Sequence, residues 1–544
     1  MKAFFLNPPF KVEHGKFSRT SRSPAVTKSG TVYYPIWLAY AAGNCEKEGH
    51  KVKLFDSCSG RVALDDTLKV VKDFEPTLVV LDTSTPSIID DLNVARLIKE
   101  VLGQNVITCL MGTHPSALPD ETLGMEKSLD LIIRGEADQT VVEVANSLEN
   151  IQPNSLSNKE KENIFKNIKG ISFQVSGKIF HNEKAPQIQD LDSLPFVSKV
   201  YNDHLIIEDY FFGACDYPEV MIMSARGCTD RCTFCVYPYA IHDLKYRMRS
   251  AKNIVDEFEW IEKNLPQVKE VGIEDDTFAG SVKRVHEFCE EKIKRGIELK
   301  WYTNVRVGLK IETLKLMRKA NCVLLTVGYE SANQEVLDKM RKRAKSEQII
   351  EFSNNCKKAD IMVHSCFMVG NPGDTRDTLQ QSLDLALQLN DDTMQFFPLI
   401  VYPGTPDYIW AKENDLLTVN SYGDWVTQEG YHNSVVRMPD MSEEEIVDWC
   451  DYARKKYYTR PRYLLYKLSQ TIFRPSELVR NLKAGLRFQS FLRKGTYGAN
   501  RFKTRFENQI TKIEKTKNKS EYQYPNNVPK PVQVPRDFEI EEAT

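Results

Sequence analysis

Three cysteines lie in one short turn of this chain and constrain its fold more than any other feature. Cys228, Cys232 and Cys235 have the spacing CxxxCxxC, and Phe234 stands directly before the last cysteine. Three thiolates this close together can bind three iron atoms of a cubane cluster and leave the fourth iron open to a substrate or cosubstrate. A structural zinc site needs a fourth Cys or His at a matching spacing, and neither a second CxxC pair nor His204 or His242 supplies one. The turn therefore predicts a [4Fe-4S] site.

The composition is that of an ordinary globular protein with room for two or three domains. Of 544 residues, 41% are hydrophobic and 27% charged, and the formal net charge is −2. We therefore expect no nucleic-acid partner. The 12 cysteines form no repeating framework, which predicts reduced thiols and a cytoplasmic location. No run of about 18 uncharged apolar residues occurs, so we expect no membrane-spanning helix.

The N-terminal region, 1–150, alternates short apolar runs with helical periodicity, which is typical of a doubly wound, Rossmann-like α/β domain. Short polar loops follow the predicted strands, for example at Asn7-Pro8-Pro9. In open parallel sheets, ligands bind beyond the carboxyl ends of the strands, where these loops lie. No GxGxxG follows the first strand, so a dinucleotide is disfavoured. Residues 151–210 are polar with a hairpin-like piece and read as a linker or cap.

Residues 211–425 show strand–helix repeats that fit a partial (β/α)6 barrel of the TIM type. Residues at the carboxyl ends of barrel strands are typical of catalytic sites. The cysteine turn follows the first of these strands, and three acids follow the second. Each of the other predicted strands ends in a polar or glycine-rich run. The predicted strands are Val220–Ser224, Glu270–Glu274, Lys300–Asn304, Val323–Val327, Met362–Val369 and Met394–Pro398.

The cysteine motif with its aromatic residue resembles the signature of the radical S-adenosylmethionine (SAM) enzymes. Further runs at the strand ends, Gly328-Tyr329-Glu330-Ser331 and Gly370-Asn371-Pro372-Gly373, are similar to those of the same family. The resemblance implies that the open iron binds the amino and carboxylate groups of SAM. It also implies a set of SAM contacts, which comprises Phe234, Glu274, Asp275, Asp276, Arg306, Glu330 and Gly370.

The N-terminal region resembles the cobalamin-binding domain of one radical SAM branch. The resemblance lies in Asn7-Pro8-Pro9, in the run that begins Tyr34-Pro35-Ile36, and in Gly112-Thr113-His114-Pro115. The DxHxxG motif that supplies a histidine to cobalt is missing, so no histidine is expected on the metal, and His114 is expected to be a loop or phosphate contact. The implied cobalamin contacts are Asn7, Pro8, Thr83, Ser84, Gly112, Thr113 and His114.

The C-terminal part is predicted to be a helical, basic region over 426–510, followed by a disordered tail over 511–544. Residues 454–494 hold twelve Lys or Arg and one acid, interleaved with aromatic residues. Two interpretations stay open: helices docked on the barrel with a solvated basic face, or an element that contacts the inner face of a membrane.

The leading hypothesis is a cobalamin-dependent radical SAM enzyme that methylates an unactivated carbon, as the family resemblance implies. In that logic one SAM supplies the methyl group through cobalamin, and a second gives a 5′-deoxyadenosyl radical. The alternatives are a radical cyclisation or rearrangement without methyl transfer, as in the anaerobic magnesium-protoporphyrin cyclase, and a non-catalytic iron–sulfur protein in electron transfer or sensing. The expected partners are a small-molecule or lipid-like substrate and an electron donor such as flavodoxin or ferredoxin.

Overall fold

The computed structural model describes residues 1–104, 106–149 and 157–473. Two parallel sheets, each flanked by helices, dominate it. The first sheet and the segments around it contain strands β1 (Lys2–Asn7), β2 (Phe17–Ser18), β3 (Ala25–Val26), β4 (Lys51–Asp56), β5 (Leu78–Thr83), β6 (Ile107–Gly112), β7 (Leu131–Ile133), β8 (Ile171–Val175) and β9 (Lys178–His181). The helices of this part are α1 (Ile36–Lys47), α2 (Ser57–Gly60), α3 (Leu64–Phe74), α4 (Ile88–Leu102), α5 (Thr113–Ala117), α6 (Pro119–Met125), α7 (Asp138–Leu148), α8 (Asn158–Phe165) and α9 (Val197–His204).

The first sheet has the strand order β4-β1-β5-β6-β7-β8-β9 over the described residues. The strands from β4 to β7 are parallel, and β8 and β9 add an antiparallel edge. The five parallel strands follow the flavodoxin-like order 2-1-3-4-5, whose topological switch point lies between β1 and β5. The sheet extends to His181, which differs from the predicted domain boundary at residue 150, because the hairpin expected to belong to a linker pairs with β7 instead.

The second sheet forms the barrel region. Its strands, with the short pair β11 and β12, are β10 (Glu219–Ile222), β11 (Ala225–Arg226), β12 (Arg247–Met248), β13 (Glu270–Ile273), β14 (Lys300–Val305), β15 (Cys322–Glu330), β16 (Met362–Val369) and β17 (Thr393–Pro398). Its helices, with those that follow it, are α10 (Val236–Ala240), α11 (Ala251–Asn264), α12 (Val282–Lys294), α13 (Ile311–Lys319), α14 (Gln334–Lys339), α15 (Ser346–Lys358), α16 (Arg376–Leu389), α17 (Pro406–Glu413), α18 (Glu443–Tyr458) and α19 (Pro461–Phe473).

The order β10-β13-β14-β15-β16-β17 is parallel throughout, and the two outer strands do not pair with each other in the part of the chain that the structure describes. This is the predicted partial (β/α)6 barrel, and each predicted strand is present within three residues at either end. The predicted α/β class, a Rossmann-like sheet followed by a partial (β/α)6 barrel, is confirmed. No described helix is long and apolar enough to cross a membrane.

One continuous buried cluster joins the two sheets. It runs from Phe5 and Leu38 in the first part to Val220 and Leu325 in the second. Tyr34 lies at the junction, where its ring stacks on Tyr201 and Tyr210 at centroid distances of 4.2 and 3.8 Å. The carboxyl ends of both sets of strands are thereby held in a fixed relation.

Candidate cofactor site

The cysteine turn follows β10 and β11, and α10 begins directly after Cys235. Cys232 is 8% exposed, and the other two cysteines are half-buried. The backbone N–H of Asp230 donates to Cys228 Sγ at 3.3 Å, which is the kind of hydrogen bond that tunes cluster sulfurs. Burial raises the pKa of the Cys232 thiol to about 12, while Lys342 opposes that rise through its positive charge.

The chemistry of these three cysteines fits an iron–sulfur cluster. No group of three or more His, Cys, Asp or Glu side chains within the described ranges is arranged to hold one ion. The thiolates of a cubane cluster bind different iron atoms and therefore stand further apart than the ligands of a single ion. The buried thiol of Cys232, the two half-buried thiols, the hydrogen bond to Cys228 and the nearby cations fit such a cluster.

Arg226 joins the cysteine turn to the helices α7 and α1 beside the first sheet. This side chain is 1% exposed and donates to both carboxylate oxygens of Asp138, at 2.7 and 2.8 Å. Its guanidinium also lies over the rings of Trp37 and Tyr40, at 5.1 and 5.2 Å from the centroids. A bidentate buried pair of this kind fixes both the position and the orientation of the residue two places before Cys228. The sequence did not single out Arg226, although it adjoins the motif.

A second buried contact between the two parts centres on Glu136. It accepts a hydrogen bond from His242 Nδ1 at 2.9 Å and from Arg247 Nη1 at 2.9 Å. Together with Arg226, these partners hold the pKa of the Glu136 carboxyl well below its usual range against the opposing effect of burial, which is the largest single influence. His242 Nε2 in turn stands 3.7 Å from Asp276, so the contact reaches the acids that follow β13.

The three acids after β13 do not share one role. Glu274 and Asp276 face Arg22 of the N-terminal region, and Asp276 also accepts from the N–H of Gly227 at 3.1 Å. Asp275 is 0% exposed and accepts from the N–H groups of Ser224 and Ala225, at 2.6 and 2.9 Å. Its carboxylate therefore has a structural role, and the expected SAM contact of Asp275 stays a prediction for its carbonyl oxygen only.

Arg306 and Glu330, expected to contact SAM, lie against the cysteine turn. Arg306 pairs with Asp230 at 2.7 Å and donates to Thr229 at 2.8 Å, so its guanidinium supports the turn. Glu330 is 6% exposed, has φ of 64°, and pairs with Lys342 at 3.0 Å. A left-handed backbone at a glutamate is strained, and such strain is typical of functional sites.

The other two expected SAM contacts are packing positions in this structure. Phe234 packs, partly buried, on the apolar cluster around Val236 and Tyr237. Gly370 has φ of 95°, and a Cβ atom there would stand 3.2 Å from the side chain of Ile446 in α18. Gly370 is therefore adjacent to a helix rather than joined to the acids after β13.

A cavity lies between the carboxyl ends of β5, β6 and β7 and the helix α10. The space inside it that a water-sized sphere can enter is about 30 Å³, so it is a narrow cleft in this structure. Of the seven expected cobalamin contacts, Thr83, Gly112 and Thr113 line it. Its remaining lining includes Asp82 at the end of β5, Glu136 and Asp138 at the start of α7, and Tyr237 and Ile241 on the side of the cysteines.

The lining of this cavity offers a free hydrogen-bond acceptor to an amide-bearing cofactor such as cobalamin. Asp82 lines the cavity, and its Oδ2 atom is buried without a hydrogen-bond partner, so it can accept from an amide of a ligand. A Cβ atom on Gly112, where φ is 130°, would stand 2.2 Å from the carbonyl oxygen of Thr83. Because Gly112 has no side chain, a ligand can approach the backbone closely at this strand end.

The other four expected cobalamin contacts lie away from the cavity. Asn7 and Pro8 are occupied by Arg19, which donates to the Asn7 side chain and to the Pro8 carbonyl and pairs with Asp91 at 2.7 Å. The switch point between β1 and β5 is therefore filled by the chain itself. The hydroxyl groups of Ser84 and Ser87 are hydrogen-bonded to each other at 2.9 Å.

His114 is buried between Thr85 and the ring of Tyr422, with Nδ1 3.3 Å from the Thr85 hydroxyl. Burial lowers its pKa to about 3, so it is a neutral core residue. In this structure His114 is a loop contact, which is the first of the two roles expected for it, through the Thr85 hydroxyl.

A partial parallel barrel with three cysteines after its first strand, preceded by a doubly wound sheet with a ligand cavity, defines an iron–sulfur enzyme with a further cofactor site in its N-terminal part. Residues 222–386 match the family model of the radical SAM superfamily, and residues 22–145 match that of the B12 binding domain. The chain belongs to the radical SAM superfamily, in the branch whose members carry a B12 binding domain, and its cofactors are a [4Fe-4S] cluster, SAM and cobalamin.

Several curated proteins are similar over most of the chain. A protein of Pyrococcus horikoshii described as an uncharacterized methyltransferase is 27% identical over 80% of this chain and 90% of its own length. The anaerobic magnesium-protoporphyrin IX monomethyl ester cyclase of Cereibacter sphaeroides is 26% identical over 83% of this chain and 71% of its own.

Two solved structures share the fold. The radical SAM methyltransferase TsrM of Kitasatospora setae, with tryptophan and a SAM analogue bound, superposes with a TM-score of 0.63 at 16% identity, over 85% of this chain and 89% of the other. The cobalamin-dependent radical SAM enzyme OxsB, with aqua-cobalamin and SAM bound, superposes with a TM-score of 0.62 at 16% identity, over 89% of this chain and 71% of the other.

Proposed function

We propose that the protein is a cobalamin-dependent radical SAM methyltransferase that acts on an unactivated carbon of a small molecule. The observation that carries the proposal is the position of α10. This helix begins directly after Cys235, and its residue Tyr237 lines the cavity at the ends of β5–β7. The two candidate cofactor sites thus share one short helix. The similarity to proteins described as methyltransferases supports the same reaction.

When bound, the reduced cluster supplies the electron that cleaves SAM, and cobalamin supplies a carrier for the methyl group. The chain contributes position and exclusion of water. Cys228, Cys232 and Cys235 hold the cluster, Glu274 and Asp276 offer acceptors to the amino group of SAM, and Thr83, Gly112 and Thr113 hold the edge of cobalamin. Holding two cofactors and a substrate in a fixed relation replaces encounters in solution with a preorganised geometry.

We further propose that the substrate enters the barrel interior. Asn304, Thr326, Cys366 and Gln395 come from four adjacent strands and are half-buried. The strand register pairs Asn304 with Thr326 and Cys366 with Gln395, so these polar side chains project from the same face of the sheet. Such a lining suits a small molecule with hydrogen-bonding groups.

The proposal is tested by anaerobic reconstitution with iron, sulfide, cobalamin, reductant and SAM that carries a deuterated methyl group. Candidate small molecules that bear hydroxyl or amide groups are supplied. We expect equal amounts of S-adenosylhomocysteine and 5′-deoxyadenosine, together with a product heavier by the labelled methyl group. A variant in which Cys232 is replaced by Ala is the control and should yield neither. Methyl transfer would be contradicted if no candidate molecule gave a labelled product and 5′-deoxyadenosine were the sole product made from SAM.

A second candidate function is an oxidative cyclisation without methyl transfer. The similarity to the magnesium-protoporphyrin cyclases over 83% of this chain favours it. The same reaction mixture distinguishes the two functions, because cyclisation consumes SAM without making S-adenosylhomocysteine. Flavodoxin or ferredoxin is proposed as the electron donor in either case, and each can be supplied in place of the chemical reductant.

Contact with an anionic membrane is also proposed. The helix α19 exposes four apolar side chains on one side, Leu464, Leu465, Leu468 and Ile472, each at least 56% exposed. The sequence around and after it is basic, and apolar and basic groups together favour an anionic lipid surface. The basic residues after 473, and the expected tail, lie outside the described residues. Sedimentation with anionic vesicles but not with zwitterionic ones is expected, and equal recovery in both would contradict the contact.

A further inference from the structure

A segment of the N-terminal region, residues 17–34, lies across the barrel and is called the strap below. Several hydrogen bonds tie it to distant parts of the chain. Tyr237 in α10 donates its hydroxyl to the Thr20 carbonyl at 2.8 Å, and the Val26 N–H donates to the Gly430 carbonyl at 2.7 Å. His432 Nε2 stands 3.1 Å from the Ser23 carbonyl oxygen. The strap therefore touches both the helix after Cys235 and the chain beyond the barrel.

Arg22, between these attachments, reaches the acids that follow β13. Its Nη1 donates to Glu274 Oε1 at 2.5 Å, and its Nη2 donates to the Asp275 carbonyl at 2.7 Å. Asp276 Oδ1 is 3.5 Å from the same Nη2. The carboxylates of Glu274 and Asp276 are 11% and 5% exposed, whereas the Arg22 side chain is 39% exposed. The two acids are thus more buried than the cation that pairs with them.

The acceptors that Arg22 uses are the ones proposed above for the amino group of SAM. Asn304 donates to the Asp275 carbonyl at 3.1 Å and hydrogen-bonds Glu274, so other donors of the protein also occupy this corner. An incoming amino group must therefore compete with the guanidinium. The methionine part of SAM also carries a carboxylate, and a guanidinium fork matches a carboxylate in two parallel hydrogen bonds.

We propose that Arg22 is a SAM-recognition residue that exchanges partners: it pairs with Glu274 and Asp276 in the absence of SAM and with the carboxylate of SAM in its presence. The exchange keeps a hydrogen-bond donor on the acids, because an amino group bound to iron still carries N–H groups that can take the place of the Arg22 guanidinium. Because Arg22 belongs to the strap, bound SAM holds the strap on the barrel. The inference rests on the SAM site proposed above.

The test compares SAM with decarboxylated SAM, which keeps the amino group and lacks the carboxylate. Dissociation constants of both are measured by calorimetry on the cluster-loaded protein, for the wild type and for Arg22→Gln and Arg22→Lys. Because the cluster contributes equally in each protein, a change in the ratio of the two constants reports the contact between Arg22 and the carboxylate. The ratio is the dissociation constant of decarboxylated SAM divided by that of SAM. If Arg22 forms a hydrogen-bonded charge pair with the carboxylate, Arg22→Gln should lower this ratio about tenfold, and Arg22→Lys should give a value between those of Arg22→Gln and the wild type.

Hydrogen exchange of the strap gives a second measurement that needs no turnover. We expect SAM to slow exchange over residues 17–34 in the wild type and not in Arg22→Gln. Lys28→Gln removes another positive charge from the same strap and should behave as the wild type in both measurements. An unchanged ratio in Arg22→Gln, or faster strap exchange in wild type with SAM, would overturn the proposal. Iron content and circular dichroism identify any variant that fails to fold, in which case Arg22→Lys decides.

The failure of the proposed function has a different signature. Binding is read without turnover, so a missing methylated product bears on methyl transfer while the ratio of dissociation constants bears on Arg22. A wild-type protein that does not discriminate between the two ligands contradicts the Arg22 contact directly.

Discussion

At the scale of single residues, Arg226 is the most consequential contact near the cysteines. Replacing it with Ala leaves Asp138 buried without its partner, and breaking a buried pair from one side costs about 3–5 kcal/mol. We expect Arg226→Ala to lower the urea midpoint and to reduce the iron bound after reconstitution, because the turn loses its orientation. Arg226→Lys keeps the charge but loses the bidentate fork, so its urea midpoint and iron content should lie between those of Arg226→Ala and the wild type. Full iron content in Arg226→Ala would contradict a positioning role.

Asp82 makes the free energy of unfolding depend on pH. Burial, with smaller contributions from Asp91 and Asp56, raises the pKa of this carboxyl to about 7 despite the opposing charge of Arg19. Between about pH 4 and pH 7 the folded state keeps a proton that the unfolded state has lost, so stability falls as the pH rises through this window. Asp82→Asn should therefore stabilise the cofactor-free protein at pH 8 and flatten its pH profile.

Chemical denaturation of the cofactor-free protein at pH 5 and pH 8 checks this expectation. Part of the pH dependence should persist in Asp82→Asn, because burial also raises the pKa of Asp91, to about 6. Asp73→Asn, at an exposed position on α3, is the matched control and should follow the wild type. Equal stability of Asp82→Asn and wild type at pH 8 would mean that Asp82 is ionised at no cost in the folded protein.

At the scale of elements, the junction of β6 and α5 depends on a bare backbone at Gly112. Both Gly112 and Gly103 have positive φ, 130° and 92°, but only at Gly112 would a Cβ atom meet the backbone, 2.2 Å from the Thr83 carbonyl oxygen. Gly103→Ala should cost about 1 kcal/mol from φ alone. Gly112→Ala should cost more and abolish cobalamin binding, measured by optical titration. Equal effects of the two substitutions would contradict the close contact with Thr83.

The sequence predicts the elements well because their signals are local. Apolar runs and helical periodicity locate the strands of both sheets, since each run must be buried on a sheet flanked by helices. The cysteine motif identifies its own site because three ligands lie within one turn. The hairpin after residue 170 was expected in a linker, because pairing with β7 depends on the end of the first sheet being free.

The roles of the acids after β13 were only partly predictable. Successive side chains of extended chain point to opposite sides, so Glu274 and Asp276 share a side that Asp275 cannot. That alternation is readable from sequence, but which side faces the site is not. The contact of Arg22 with Glu274 joins residues 252 positions apart. It depends on the path of an irregular segment, for which no sequence periodicity exists.

At the scale of the whole molecule, the two sheets share one buried cluster and several charged contacts. Arg226–Asp138, Arg22–Glu274 and the contacts of Glu136 each join the first part to the second. Neither part can open fully without exposing apolar side chains of the common cluster to water. The relation between the cavity and the cysteine turn is therefore a property of the folded chain as a unit.

This shared core predicts a single cooperative unfolding transition for the chain in urea. Hydrogen exchange read at β5 and β6 in the first sheet and at β15 and β16 in the second should give coincident midpoints, because the free energy that holds each sheet includes burial against the other. Arg226→Ala, which weakens the contact between the parts but leaves each sheet intact, should shift both midpoints together. Midpoints that separate in the wild type would show that the two sheets fold independently, and the fixed relation between the two cofactor sites would then have to come from the cofactors themselves.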